Sequence, residues 1–268
     1  LDLFSDGDPV VEWDTTLVDK NAEQQDIEIM GIKFLLHQEP RTLDQVETNK
    51  TVASSTIGTG NIVWDGSMSA VKLLEAGEST GDPALQAGFL QGKKCLELGS
   101  GCAGLGGLAC ALLGASKVVV SDVASLVPLL QRNTGSFLQA AAHRPSLCRD
   151  VSVRALRWGD VDDLRGVKGD APFDFVVCND VLYCQDDIEL IGATLHPLLR
   201  DGSVVLFVAS HFTPTAEKAL ARFVERRRME CRTVDTACLH ARDRHEGIRA
   251  MVVTWRGGGD DDGTHQDD

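Results

Sequence analysis

Three observations predict an α/β fold built on a seven-stranded, mostly parallel sheet. From Lys93 to Val224, short apolar runs rich in Val, Leu, Phe and Cys alternate with apolar stripes at helical spacing, the pattern of right-handed strand–helix–strand units. The last two apolar runs, near Cys231–Cys238 and Ile248–Trp255, follow one another with no helical stripe between them; they predict a C-terminal hairpin that adds an antiparallel strand to the sheet. Upstream, Ile27, Ile29, Ile32, Phe34 and Leu36 form a separate strand-like run, a small N-terminal β element with a turn or bulge at Gly31.

The elements follow in order. Residues 1–26 are polar and aperiodic apart from Val10, Val11 and Trp13, and residues 38–60 read as loop. Trp64 to Glu75 predicts a helix, because Met68, Val71 and Leu74 recur every three residues and Asp65 or Ser67 can cap it; Gly77 to Pro83 ends it. Cys95–Leu98 is a short buried strand. It leads through Gly-Ser-Gly-Cys-Ala-Gly into an apolar helix that runs to Leu113, with Gly114 as its C-terminal cap. Val118–Val120 is the next strand and Ala124–Gln139 the next helix, with Leu126, Leu129, Leu130 and Phe137 on one side. Val151–Leu156 and Phe173–Cys178 are the third and fourth strands. Ile188, Ile191, Leu195 and Leu198 make a helical stripe, Val204–Val208 a fifth strand, and Leu220, Phe223 and Val224 a final helix. Pro214 suits a helix start, and Arg226-Arg227-Arg228 a helix end whose charge complements the dipole. There is no internal repeat and no second core. The chain divides into a polar acidic segment (1–26), one folded domain (27–256) and a flexible acidic tail (257–268).

The net charge of the 268-residue chain is −14, and its location matters more than its size. Residues 1–28 hold nine acids and one base, and residues 257–268 hold five acids and no base, so the rest is close to neutral. A neutral core lacks the broad basic field that a general nucleic-acid binder needs. No apolar run is long enough to cross a bilayer. The eight cysteines form no Cys-x-x-Cys pair, and several sit inside apolar runs, so they read as reduced intracellular thiols rather than as a zinc site or a disulfide framework. The seven histidines show no metal-ligand spacing, and no metal is expected.

Glu97-Leu-Gly99-Ser-Gly101-Cys-Ala-Gly104 lies between a strand and a helix, the setting that a nucleotide-binding turn requires. Its glycines let the backbone turn tightly and approach a ligand, and the helix N-terminus offers free N–H groups. Asp122 follows Gly101 by twenty-one residues, at the end of the next strand, where a carboxylate can accept both ribose hydroxyls. Together these features predict an adenosine-containing cofactor. A P-loop is excluded because no Gly-Lys-Ser/Thr follows the glycines. The single tyrosine, Tyr183, has Asp187 rather than Lys four residues on, which excludes short-chain dehydrogenase chemistry.

Asp180-Val-Leu-Tyr183 follows the fourth strand, where the sheet order is expected to reverse and ligands bind at the strands' carboxyl ends. A carboxylate raises the pKa of a nearby amine, so Asp180 fits a positioning group or a relay better than a strong base, or else caps the next helix. The Tyr183 ring or hydroxyl can orient an amine. Trp158, at the end of the third strand, can stack on adenine, and Trp64 can cover the cofactor's other end; core packing is the alternative for both.

Val63-Trp64-Asp65, Glu97-Leu-Gly-Ser-Gly, Ser121-Asp122, Leu156-Arg-Trp158-Gly and Asp180-Val-Leu-Tyr183 occur in the order found in the seven-strand, Rossmann-like protein-lysine methyltransferases. More narrowly the chain resembles the family-16 group with an Asp-x-x-Tyr motif, which includes the methyltransferase of the valosin-containing protein. The resemblance spans about Asp26 to Trp255. It implies S-adenosyl-L-methionine as methyl donor and a protein lysine as acceptor. It also implies that Trp64, Glu97, Gly99, Gly101, Asp122 and Trp158 hold the cofactor, with Asn179 near its methionine end and Asp180 and Tyr183 at the acceptor site. A cytoplasmic or nuclear monomer, acting on a protein without nucleic-acid or membrane partners, is the expectation.

Two departures bear on the acceptor. The motif continues as Cys184-Gln185-Asp186, and the fifth strand is followed by Ser210-His211-Phe212, where relatives often carry an aromatic or an acid. His211 could serve as a base for a different acceptor. The competing readings are a methyltransferase for a small molecule or a non-lysine group, and a cofactor-binding interaction module without catalysis; a nicotinamide enzyme is more distant.

Overall fold

The computed structural model describes residues 18–40, 59–182, 185–210, 213–239 and 247–256. The first described element is a ribbon in which β1 (Gln24–Ile29) pairs antiparallel with β2 (Ile32–His37). Met30 (φ 49°) and Gly31 (φ 78°) form the two-residue turn between them, and positive φ at both positions matches the right-handed twist of a hairpin. Gly31 is therefore the turn. β1 starts at Gln24 and Val18 is already buried, so the fold begins ahead of the boundary expected after residue 26. Residues 1–17, most of the predicted loop 38–60 and the tail 257–268 lie outside the described residues.

Seven further strands form one sheet: β3 (Lys94–Leu98), β4 (Lys117–Asp122), β5 (Val151–Ala155), β6 (Phe173–Asn179), β7 (Leu199–Ala209), β8 (Glu230–Thr233) and β9 (Arg249–Thr254). Their order is β5-β4-β3-β6-β7-β9-β8. Every neighbouring pair is parallel except those of β9, which runs antiparallel to both β7 and β8. The C-terminal pair thus behaves as the missing helix predicts, although the first strand of the pair ends at Thr233. The rest of that run is a short 3-10 turn, Thr236–Cys238, started by the Asp235 carboxylate on the Ala237 N–H.

Both faces of the sheet are covered, which is why β3 and β6 read as continuous apolar runs. On one face α1 (Asp65–Ala76), α2 (Leu105–Leu112) and α3 (Val127–Ala140) share a core with the hairpin. The other face carries α4 (Val161–Lys168), α5 (Gln185–Leu195) and α6 (Pro214–Arg226). Helix α4 is absent from the sequence reading. Only Val167 in it is buried, so it has no stripe to detect; its local sign is Asp160, whose carboxylate caps the N–H groups of Asp162 and Asp163. Pro214 occupies the first turn of α6, and Thr213 caps it through the Ala216 N–H.

The hairpin is locked to α3. Phe34 meets Phe137 edge-on at 5.5 Å. Buried Asn133 accepts the His37 N–H at 2.9 Å and donates to the carbonyls of His37 and Cys102, both at 2.8 Å. One side chain thereby ties the N-terminal ribbon to the turn that follows β3.

On the opposite face, α5 crosses α6 at Gly192. A Cβ there would lie 2.2 Å from Phe223 Cε2, and Phe223 is itself packed against Trp255, with ring centroids 6.0 Å apart. Gly192→Ala is expected to lower stability by about 1–3 kcal/mol through overpacking. A thermal melt followed by circular dichroism checks this.

Candidate active site

The sheet order reverses between β3 and β6, so the carboxyl ends of these adjacent strands open the crevice where α/β folds bind ligands. The sequence-predicted residues divide between those partly exposed at these strand ends (Trp64, Gly99, Gly101, Asp122, Trp158) and those buried beneath them (Glu97, Asn179, Asp180).

Gly99 (φ 71°) and Gly101 (φ 58°) carry the turn out of β3. A Cβ on Gly99 would sit 2.7 Å from Val181 Cγ1 and 3.0 Å from the Trp158 ring, so the indole stands directly beside the turn, partly exposed. Asp122, at the end of β4, accepts the Gly101 N–H through Oδ2 at 2.8 Å and the Val123 N–H through Oδ1 at 2.7 Å. Burial holds its pKa above the ordinary value despite these two donors. Each oxygen keeps a second lone pair, and the residue is partly exposed, so it can still accept from a ligand.

Glu97 faces inward. Its two oxygens accept the N–H groups of Gly106 (3.2 Å) and Gly107 (2.8 Å), the second and third residues of α2, and Asn179 Nδ2 donates to Oε1 at 2.9 Å. It is therefore the cap of α2, supplied from the sheet because Gly104 at the N-cap position has no side chain to do so. Burial pushes its pKa up to about 7, against these hydrogen bonds. Asn179 Oδ1 is buried with no hydrogen-bond partner among the described residues.

Asp180 plays the same part for α1. Its Oδ2 accepts the Gly66 N–H at 3.0 Å, and its Oδ1 accepts the Ser210 N–H at 2.6 Å and the Ser210 hydroxyl at 2.8 Å. The expected local caps Asp65 and Ser67 do not cap. Trp64 holds the N-cap position in an extended conformation with no side-chain hydrogen bond to the helix, and the missing acceptor arrives from β6. A Cβ at residue 66 would lie 2.3 Å from Asp180 Oδ2, so only glycine permits this approach. Burial raises the Asp180 pKa against all three donors, with nearby Asp65 adding to the rise. Asp180 itself has a left-handed backbone (φ 48°) where the chain leaves β6. Tyr183, Cys184, His211 and Phe212 lie outside the described residues.

The Trp64 indole N–H donates to the Thr59 carbonyl at 2.9 Å. Gly60, next to Thr59, covers the glycine turn, with its carbonyl oxygen 3.2 Å from where a Gly101 Cβ would be. The 3-10 turn Thr59–Asn61 thus joins Trp64 to the crevice. This turn falls in the expected loop 38–60, where Thr59-Gly60-Asn61 is its local sign; neither the part of Gly66 nor the pairing of Ser210 with Asp180 has a local sign in the sequence. Among the described residues no cluster of His, Cys, Asp and Glu is placed to hold a metal ion.

Two expectations follow. Between about pH 4.5 and 7 the folded state holds a proton on Glu97 that the unfolded chain has released. The contribution of this group is therefore full below about 4.5 and lost as pH rises through about 7. Denaturant unfolding across this range should show stability falling with pH, and Glu97→Gln should remove that part of the slope. Asp180→Asn sets an amide NH₂ against a backbone N–H. It is expected to cost about 1–3 kcal/mol and to speed hydrogen exchange in the first turn of α1, with Ser210→Ala milder.

Comparison with known proteins adds independent information. The family described as "Lysine methyltransferase" matches residues 44–226. The chain is 32% identical over 142 residues to the protein N-terminal and lysine N-methyltransferase EFM7 of Yarrowia lipolytica, covering 48% of this chain and 50% of that protein. It is 30% identical over 152 residues to the mouse protein N-lysine methyltransferase METTL21A, covering 56% and 60%. The chain thus spans between half and three-fifths of these relatives' length. The solved structure of SMU.776 complexed with SAH shares the fold at a TM-score of 0.51 and 13% identity, covering 88% of this chain and 57% of that one. With two-thirds of its length matched by the family, around a glycine turn at the switch point of a seven-stranded sheet, the chain belongs to the lysine methyltransferase family.

Proposed function

We propose that this chain transfers a methyl group from S-adenosyl-L-methionine to the amine of a lysine side chain in a protein substrate. Membership of the lysine methyltransferase family carries the reading, and both curated relatives named above are called lysine N-methyltransferases. The residues present suit the donor. Asp122 keeps lone pairs for the ribose, Trp158 offers a ring beside Gly99 for the adenine, and the buried, unpartnered Oδ1 of Asn179 offers an acceptor to the methionine ammonium. Trp64 covers the crevice from the side of α1. Glu97 acts at one remove, by holding α2 so that the glycine turn keeps its shape.

When bound, S-adenosyl-L-methionine supplies an electrophilic methyl group on a sulfonium. The chain's task is to present a neutral amine in line with it. A free lysine has a pKa of about 10.4, and a crevice that excludes water lowers it. Asp180 has both oxygens committed to Gly66 and Ser210, which suits a group that positions α1 and the acceptor wall rather than a general base. Tyr183 is assigned to orient the amine on the strength of its motif. Catalysis then rests on near-attack geometry. A protein acceptor, a monomeric state and a cytoplasmic or nuclear location complete the proposal; no helix among the described residues is long and apolar enough to cross a membrane.

The test is calorimetric binding of S-adenosylhomocysteine together with transfer of a labelled methyl group into a cell extract. Binding by the parent, weakened about tenfold or more in Asp122→Ala, and label in discrete protein bands that Tyr183→Phe reduces, are the expected results. Label appearing only in the protein-free fraction would replace the protein acceptor with a small molecule. Binding without any transfer would indicate a non-catalytic module.

A further inference from the structure

Ahead of the N-terminal hairpin, Lys20 reaches the segment around Trp64. Lys20 Nζ lies 2.9 Å from Asp65 Oδ2 and 5.1 Å from the centroid of the Trp64 ring. Asp65 is almost fully buried and Lys20 about a quarter exposed, at 3% and 24% of side-chain area. A cation over an indole, held in place by a shielded carboxylate, is attracted to both groups at once.

The contact belongs to a wider brace. Gln38 accepts the Val63 N–H at 2.7 Å while donating to the carbonyls of Asp19 (2.9 Å) and Ala22 (2.8 Å). The Glu39 N–H donates to the Asn61 carbonyl at 3.0 Å. Residues on either side of the hairpin therefore grip the segment from Asn61 to Asp65, and Trp64 lies within it. The backbone hydrogen bonds set where this segment runs, and Lys20 acts on the indole ring itself. The Trp64 N–H also donates to the Thr59 carbonyl. A cation over the ring face opposes pivoting about that N–H.

We propose that Lys20 is a positioning residue for the methyl-donor site. It clamps the Trp64 indole and the Asp65 carboxylate at the start of α1, so that the ring stands as a fixed wall of the crevice before the donor arrives. The inference rests on the reading of Trp64 as part of the donor site. It extends that reading to a residue outside every glycine, aspartate and tryptophan motif of the fold. Its energetic content is pre-organisation: a ring already held in place loses less freedom when the ligand binds.

The experiment compares the parent, Lys20→Met and Lys20→Arg, the first removing the charge while keeping the apolar stem and the second keeping the cation. The readouts are the Kd for S-adenosylhomocysteine and, for transfer, the KM for the donor separately from kcat. Lys20→Met is expected to raise Kd and KM about three- to tenfold, with kcat at saturating donor unchanged. Lys20→Arg is expected to restore most of the loss, since guanidinium also stacks on an indole and pairs with a carboxylate. In a Trp64→Ala background the Lys20→Met change should add little, because the group through which it acts is gone. A thermal melt confirms that each variant is folded.

If the parent binds and Lys20→Met binds equally well, the assignment of Lys20 is overturned while the donor site stands. Equal losses in Lys20→Met and Lys20→Arg, or additive effects with Trp64→Ala, overturn it as well. Failure of the folded parent to bind at all overturns the donor-site reading, and the Lys20 assignment with it.

Discussion

The crevice exists because two buried carboxylates from the sheet end two helices that cannot cap themselves. An α-helix begins with N–H groups that have no intrahelical partner, and burying them without acceptors is costly. The first turn of α2 enters from Gly104, which has no side chain, and α1 enters from Trp64, whose indole points elsewhere. Glu97 on β3 and Asp180 after β6 supply the missing oxygens. Because β3 and β6 are neighbours at the switch point, the two caps fix both helices relative to the same pair of strand ends. The positions of the glycine turn and of Trp64 both depend on this arrangement.

The carboxylates carry a cost that shapes the site. Both sit in surroundings that raise their pKa values, so part of the binding energy of their hydrogen bonds is spent on desolvation. What they provide in return is definition. Ser210 at the end of β7 and Gly66 on α1 meet on one side chain, so three separate segments share a single geometry. A hydrophobic cap could not aim a helix N-terminus in this way, since apolar contact is not directional.

The N-terminal hairpin completes the structure from outside. Asn133 links it to the glycine turn through the Cys102 carbonyl, while Gln38 and Lys20 link it to the segment around Trp64. A small ribbon, marginal by itself, thereby contacts both walls of the crevice. Its alternating isoleucines explain that it folds as a ribbon; its polar residues explain where it docks.

Much of this was legible in the one-dimensional chain. The strand–helix alternation, the closing hairpin and the Gly99–Gly101 turn follow from local demands, namely side-chain periodicity and positive φ, which adjacent residues express directly. Asp122 and Trp158, both named by the family motifs, lie beside the glycine turn. Helix α4 escaped because a single buried residue leaves no periodic trace. The capping of α1 escaped for a different reason: Gly66 and its acceptor Asp180 are 114 residues apart. The sequence by itself determined the order of the strands along the chain, their alternation with helices and the glycine turn, because these depend on neighbours in the chain. Only the tertiary structure decided that Glu97 and Asp180 are helix caps, that Gly60 lies over Gly101 and that Lys20 reaches Trp64. Each of those contacts joins residues brought together by packing, and no local pattern records them.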